Sequence, residues 1–179
     1  LGFKLHADDL YHPTKPSIKD AICQFGGGCT GEMISPAGLL LTNHHCGFGA
    51  IQRLSTLEKN YVDDGYWAKN RMEELPAPGV TAMFVSQIQD VTAFVLLGVS
   101  EGLSEHDRQS TIDKNIEELK RNSKKEAWEE FLIRPFYNGN KYYLFLTVTY
   151  KDVRLVGTPP SSIGKFGSDT DNWVWPRHT

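Results

Sequence analysis

The chain has 179 residues, 40% hydrophobic and 23% charged, with a formal net charge of -3; that is ordinary globular composition and enough length for one packed core. A balance so close to neutral excludes a phosphate-tracking surface, so no nucleic-acid partner is expected, and no apolar run approaches the length of a membrane span. Leu1-Gly2-Phe3-Lys4 begins neither with Met nor with a secretory apolar segment and reads as a processed or cut start.

Residues 1–16, with Pro13 and Pro16, read as an irregular surface arm. Residues 17–25 carry Ile18, Ala21, Ile22 and Phe25, a spacing that fits either a short helix or entry into a first strand. A hairpin follows. Its first arm runs from Thr30 to Ile34, and Ser35-Pro36-Ala37-Gly38 places Pro second and Gly fourth in a type I turn. The second arm, Gly38 to Thr42, is a short continuous apolar run, expected to be buried on both faces and to deliver Asn43-His44-His45-Cys46 at its end.

Beyond it, Ala50 to Leu54 has helical spacing, Tyr61 to Trp67 is an aromatic loop or short helix, and the prolines between Glu73 and Gly79 punctuate the chain. Thr81 to Val85 and Phe94 to Val99 read as strands. From Ser104 the period becomes helical: Ser104 and Asp107 are spaced as a capping box, Ile112, Ile116 and Leu119 share a face, and Ala127, Trp128, Phe131 and Leu132 extend the stripe until Pro135 ends it. A turn at Phe136 to Asn140, an alternating strand from Tyr142 to Tyr150 and an apolar stretch from Val153 to Val156 complete the pattern. Strands, turns and one long helix at about 104–134 predict a mainly β domain with a helical insertion.

His45 is the residue best placed for chemistry, because a general base needs rigid placement at a cleft, and the end of a strand supplies it. On the His-His-Cys pattern alone, a histidine bonded to backbone is an equal reading. His44, His45, Cys46 and Cys29 are all potential zinc ligands, but in extended backbone the two histidines would point to opposite faces and not converge on one ion. Gly26-Gly27-Gly28 and Gly164-Lys165-Phe166 both lack the Lys-Ser/Thr ending of a phosphate-binding loop.

The run Leu39-Leu40-Leu41-Thr42-Asn43-His44-His45-Cys46 resembles the N-terminal barrel of chymotrypsin-like serine peptidases, where a strand ends in Thr, two residues, then the catalytic His and Cys. With Gly26-Gly27-Gly28-Cys29-Thr30-Gly31 and the C-terminal run from Pro159 through Asp169-Thr170-Asp171-Asn172-Trp173-Val174-Trp175-Pro176, it resembles the S46 dipeptidyl-peptidases of the 7/11 type over nearly the whole chain.

The resemblance implies that residues 1–179 are the N-terminal part of a trypsin-like catalytic domain, a fragment of a larger two-barrel domain. It assigns His45 as general base and Asn172 with Trp173 to the pocket for the substrate's free amino group, where neutral acceptors suit an ammonium. The position next to Cys favours His45 over His44, which is left a supporting role. The triad Asp and Ser are expected downstream, and Ser168 departs from the family's Gly outside the Asn-Trp pair. The resemblance also implies oligopeptide substrates with a free N-terminus, a homodimeric parent, no metal or other cofactor, and a periplasmic or cell-surface location reached by a signal peptide not present here. A non-catalytic peptide-binding module on the same fold is the alternative. Of the three cysteines, Cys29 and Cys46 bracket the hairpin as a comparable pair brackets the histidine in chymotrypsin-like enzymes, so they are expected to be bridged and Cys23 not.

Overall fold

The computed structural model describes residues 2–12 and 15–164. Asn172 and Trp173 therefore lie outside the described residues. The first half comprises α1 (Ala7–Leu10), a 3-10 turn (Ile18–Ala21), β1 (Ile22–Phe25), β2 (Cys29–Met33), β3 (Leu40–Thr42), α2 (His44–Leu54), α3 (Tyr61–Asp64), β4 (Tyr66–Trp67), a 3-10 turn (Arg71–Glu73), β5 (Leu75–Pro76) and β6 (Ala82–Asp90). The second comprises α4 (Thr92–Val95), α5 (Glu105–Asn122), β7 (Glu129–Phe136), β8 (Lys141–Tyr150), β9 (Arg154–Leu155), β10 (Gly157–Thr158) and α6 (Ser161–Gly164). The chain is mainly β, and its largest sheet has the strand order β3-β2-β1-β6-β8-β7.

The chain divides into two units, residues 1–20 with 84–149 and residues 21–83 with 150–179. The core of the first is Val91, Val95, Ile112, Tyr142 and Leu144, with Leu96, Val99, Ile116, Leu119, Phe131 and Ile133 packed against it. Helix α5 supplies Ile112, Ile116 and Leu119 from one face, as its spacing predicts, and Ser104 caps it by accepting the Asp107 N–H at 3.2 Å. Asn115 fixes the preceding turn by donating from Nδ2 to the carbonyls of Val95 and Leu97, both at 2.9 Å. Only the Ser104 half of the expected capping box forms: Asp107 Oδ2 accepts from the Ser104 hydroxyl at 2.7 Å, not from the Ser104 backbone N–H.

The helical stripe does not reach Leu132. Helix α5 stops at Asn122 with Ser123 as its cap, and Glu129–Phe136 is a strand paired antiparallel with β8, from Glu129 opposite Val148 to Phe136 opposite Lys141. Ala127, Trp128, Phe131 and Leu132 satisfy a helical period, but Phe131 and Ile133 satisfy a strand period equally, and only these two pack against the core. Pro135 does not end a helix; it sits in β7, which has one neighbour in the sheet order, where a missing N–H is tolerated. The expected strand at Phe94 to Val99 is likewise helical at its start: Asp90 Oδ1 accepts the Thr92 N–H at 3.0 Å, and α4 buries Val95 completely. The signal was the acceptor at Asp90, not the apolar run after it.

In the second unit, β1 and β2 pair with Cys23 opposite Gly31 and Phe25 opposite Cys29, and β2 pairs with β3 with Gly31 opposite Thr42. Gly26 and Gly27 both have positive φ, 58° and 84°, which suits them to this tight hairpin. The Ser35–Gly38 turn closes with Gly38 N–H donating to Ser35 O at 3.3 Å, while Ser35 Oγ accepts from Leu39 N–H at 3.1 Å. One expectation fails here. The second arm is not buried on both faces: Leu41 is 48% exposed, while Leu40 and Thr42, on the opposite face of β3, are half-buried. Residues 17–25 resolve as both readings in turn, a 3-10 turn and then β1.

Asp90 accepts from the Thr92 hydroxyl and backbone N–H and from Lys141 Nζ, at 3.2 Å for the last, and these bonds hold its carboxyl down to about 2. A carboxyl depressed in the fold contributes stability that is present above its unfolded value of about 3.9 and lost as pH falls through its folded value. A carboxyl NMR titration is expected to show Asp90 with a midpoint of about 2. Asp90→Asn should flatten the fall of the urea midpoint across that acid window, and an ordinary Asp titration would overturn the assignment.

Candidate active site

The site is built from the hairpin upward. Gly31, at the centre of β2, has no room for a side chain: a Cβ there would lie 2.8 Å from Leu40 Cδ2, 3.1 Å from the Leu41 carbonyl and 3.3 Å from Cys23 Sγ. That close approach brings β3 alongside β2, and Thr42 Oγ1 then donates to the Thr30 carbonyl at 2.7 Å, pinning the strand's last residue. Asn43 is extended, with φ -67° and ψ 146°, and the chain turns at once into α2, so His44, His45 and Cys46 occupy its first turn. The histidines are helical, not at the end of an extended strand as expected.

Cys46 is bonded to Cys29, with α-carbons 6.0 Å apart and a sequence separation of 17. The bridge joins the first residue of β2 to the first turn of α2. Cys23 is unbridged and buried, and burial raises its thiol, keeping it protonated.

Helical placement separates the two histidines. His44 is half-buried, its Nε2 lies 3.4 Å from Ser161 Oγ, and its ring meets Phe48 edge to face with centroids 6.0 Å apart. Ser161 is only 3% exposed, so this contact is internal support and not a surface nucleophile. His45 is exposed. One of its ring nitrogens and the sulfurs of Cys29 and Cys46 all lie within 4.8 Å of one another. Of the four zinc-ligand candidates, three therefore gather and His44 does not, but both sulfurs are spent in the disulfide and offer no thiolate. The reason against a metal in this state is covalent, not the opposed faces of an extended backbone.

The peptidase S46 family model matches residues 1–179. The chain belongs to the peptidase S46 family. Among curated S46 relatives it is 54% identical over 179 residues to the Asp/Glu-specific dipeptidyl-peptidase of Flavobacterium psychrophilum, covering 100% of this chain and 25% of that one. It is also 54% identical over 185 residues to dipeptidyl-peptidase 7 of Phocaeicola vulgatus, covering 99% and 25%. The crystal structure of Porphyromonas endodontalis DPP11 in complex with substrate superposes with a TM-score of 0.85 at 44% identity, over 99% of this chain and 27% of that one. The chain thus spans about a quarter of the length of these S46 relatives.

Sequence reasoning missed Ser161. It was visible only as part of Pro159-Pro160-Ser161 in a polar loop, and a contact spanning 117 residues leaves no local pattern. Replacing both bridged cysteines, Cys29→Ser with Cys46→Ser, is expected to cost about 3 kcal/mol in the chain-entropy account of a loop this size. Urea unfolding of the oxidised chain beside the double variant measures it. Non-reducing peptide mapping should place Cys29 and Cys46 in one fragment, and a bridge containing Cys23 would contradict the assignment.

Proposed function

We propose that this chain carries the general base and the amine-binding residues of a serine dipeptidyl-peptidase that releases dipeptides from the free amino end of oligopeptides. The observation that carries the reading is His45: an exposed imidazole on the first turn of a helix, stapled through its neighbour Cys46 to the β2–β3 hairpin, in a chain of the S46 family. A histidine held this way can take a serine proton as the acyl-enzyme forms and return it to the leaving amine. The serine and the carboxylate that orients the imidazole would come from the remainder of the longer protein. Both barrels of a trypsin-like domain would then be needed for the reaction, and residues 1–179 alone are expected to be inactive.

Asn172 and Trp173 would receive the substrate's ammonium through the Asn side chain and a backbone carbonyl, which counts off two residues to the scissile bond. Relatives named as Asp/Glu-specific and as dipeptidyl-peptidase 7 are equally similar to these residues, 54% in each case, so similarity here does not select a side-chain preference. The disulfide suits an oxidising location such as the periplasm or cell surface, and among the described residues no helix is long and apolar enough to cross a membrane. We further propose a homodimer for the parent protein.

In the full-length parent, His45→Ala is expected to lower kcat/KM on a fluorogenic dipeptide by roughly 10⁴-fold or more, as for other triad histidines. His44→Ala, which removes the contacts to Ser161 and Phe48, should leave most of the activity. A folded His45→Ala enzyme with near-normal turnover would sink the reading. Asn172→Ala should cost roughly 1–3 kcal/mol in kcat/KM on free-amine substrates, the value of a hydrogen bond to a charged group, and an unchanged kcat/KM would remove Asn172 from the pocket.

A further inference from the structure

We propose that Cys29, His45 and Cys46 form a latent site for a zinc-type divalent cation, which opens when the disulfide is reduced. The three ligand atoms already lie within 4.8 Å of one another. Zinc bound tetrahedrally, with sulfur at about 2.3 Å and nitrogen at about 2.0–2.1 Å, holds its ligand atoms roughly 3.5–3.8 Å apart. Reduction requires the sulfurs to separate to about that distance, and their α-carbons, 6.0 Å apart, leave room for it by side-chain rotation alone.

The backbone around the sulfurs is held by bonds that reduction does not touch. Cys29 pairs with Phe25 in the β1–β2 hairpin, and Thr42 Oγ1 remains bonded to the Thr30 carbonyl at 2.7 Å. Cys46 N–H is bonded to the Asn43 carbonyl at 3.0 Å, inside the first turn of an 11-residue helix whose unpaired N–H groups favour a thiolate. Two thiolates and an imidazole are a donor set that selects zinc over magnesium or calcium. His45 is exposed and both cysteines are half-buried, so reductant and metal can reach them.

The chemistry balances with a dithiol as reductant. Its thiolate attacks one sulfur of the bridge, the Cys29–Cys46 bond breaks, and the dithiol closes to its own disulfide, leaving two cysteine thiols that carry the two electrons and two protons. Zn²⁺ then displaces those two protons and takes a lone pair from the neutral imidazole, with water in the fourth position. A metal on that nitrogen prevents His45 from taking a proton there, whatever its part in hydrolysis.

The test uses the 179-residue chain and no peptide substrate. The chain is reduced with a phosphine, desalted without oxygen and titrated with Zn²⁺ against a chromophoric chelator, with Co²⁺ as a spectroscopic substitute. The reduced chain should take up one equivalent and give thiolate-to-cobalt charge-transfer bands, and the oxidised chain should give neither. Cys29→Ser and His45→Ala should each weaken binding by roughly tenfold or more, while Cys23→Ser leaves it unchanged. Zn²⁺ should raise the thermal midpoint of the reduced chain only. Equal uptake by oxidised and reduced chains, binding indifferent to His45→Ala, loss of binding in Cys23→Ser, or a reduced chain that unfolds and does not regain structure with Zn²⁺ would each overturn the site.

Discussion

The bond between Cys29 and Cys46 ties the first residue of one strand to the first turn of the helix that carries the two histidines, and the local order of the site follows from it. Between those cysteines the chain makes a complete hairpin whose far end is closed by the Ser35–Gly38 turn, whose near end is held by Thr42 on Thr30, and whose middle is compressed around Gly31. Hydrogen bonds fix the strands to each other. The covalent link fixes what comes after them, which is the direction in which α2 leaves the sheet.

That arrangement sorts two adjacent and identical side chains into different environments. Consecutive positions in the first turn of a helix are about 100° apart around its axis, so one histidine can turn toward Ser161 while the next turns toward the disulfide. In a strand the same two would have been opposed by about 180°, and neither the contact with Ser161 nor the closeness of His45 to both sulfurs would follow. Asn43 is where the backbone changes from one geometry to the other.

Local chemistry made much of this legible. The Ser35–Gly38 turn, the Ser104 cap, the face shared by Ile112, Ile116 and Leu119, and the strand at Tyr142 to Tyr150 each announce themselves through residues next to one another. The family was legible because its two motifs stand near both ends of the chain. What was not legible depended on partners far away in sequence. Residues 127–132 fit two periods at once and the choice between them was made by pairing with β8; residues 39–42 are apolar enough for burial on both faces, and only the folded structure shows Leu41 left exposed. The Ser161 contact, and the three-atom cluster at the disulfide, are products of tertiary folding that no spacing rule encodes.

Pro135 has a further effect. A strand at the end of a sheet presents an outer row of amide donors and carbonyl acceptors to any extended chain that drifts alongside, and eight residues of β7 would make a long template. A prolyl nitrogen contributes no donor to that row, and Arg134 beside it adds a charge that a new neighbour would have to accommodate. The residue that looked like the stop of a helix thus acts as a guard against stray strand addition, protecting this edge from self-templating while leaving the register with β8 intact.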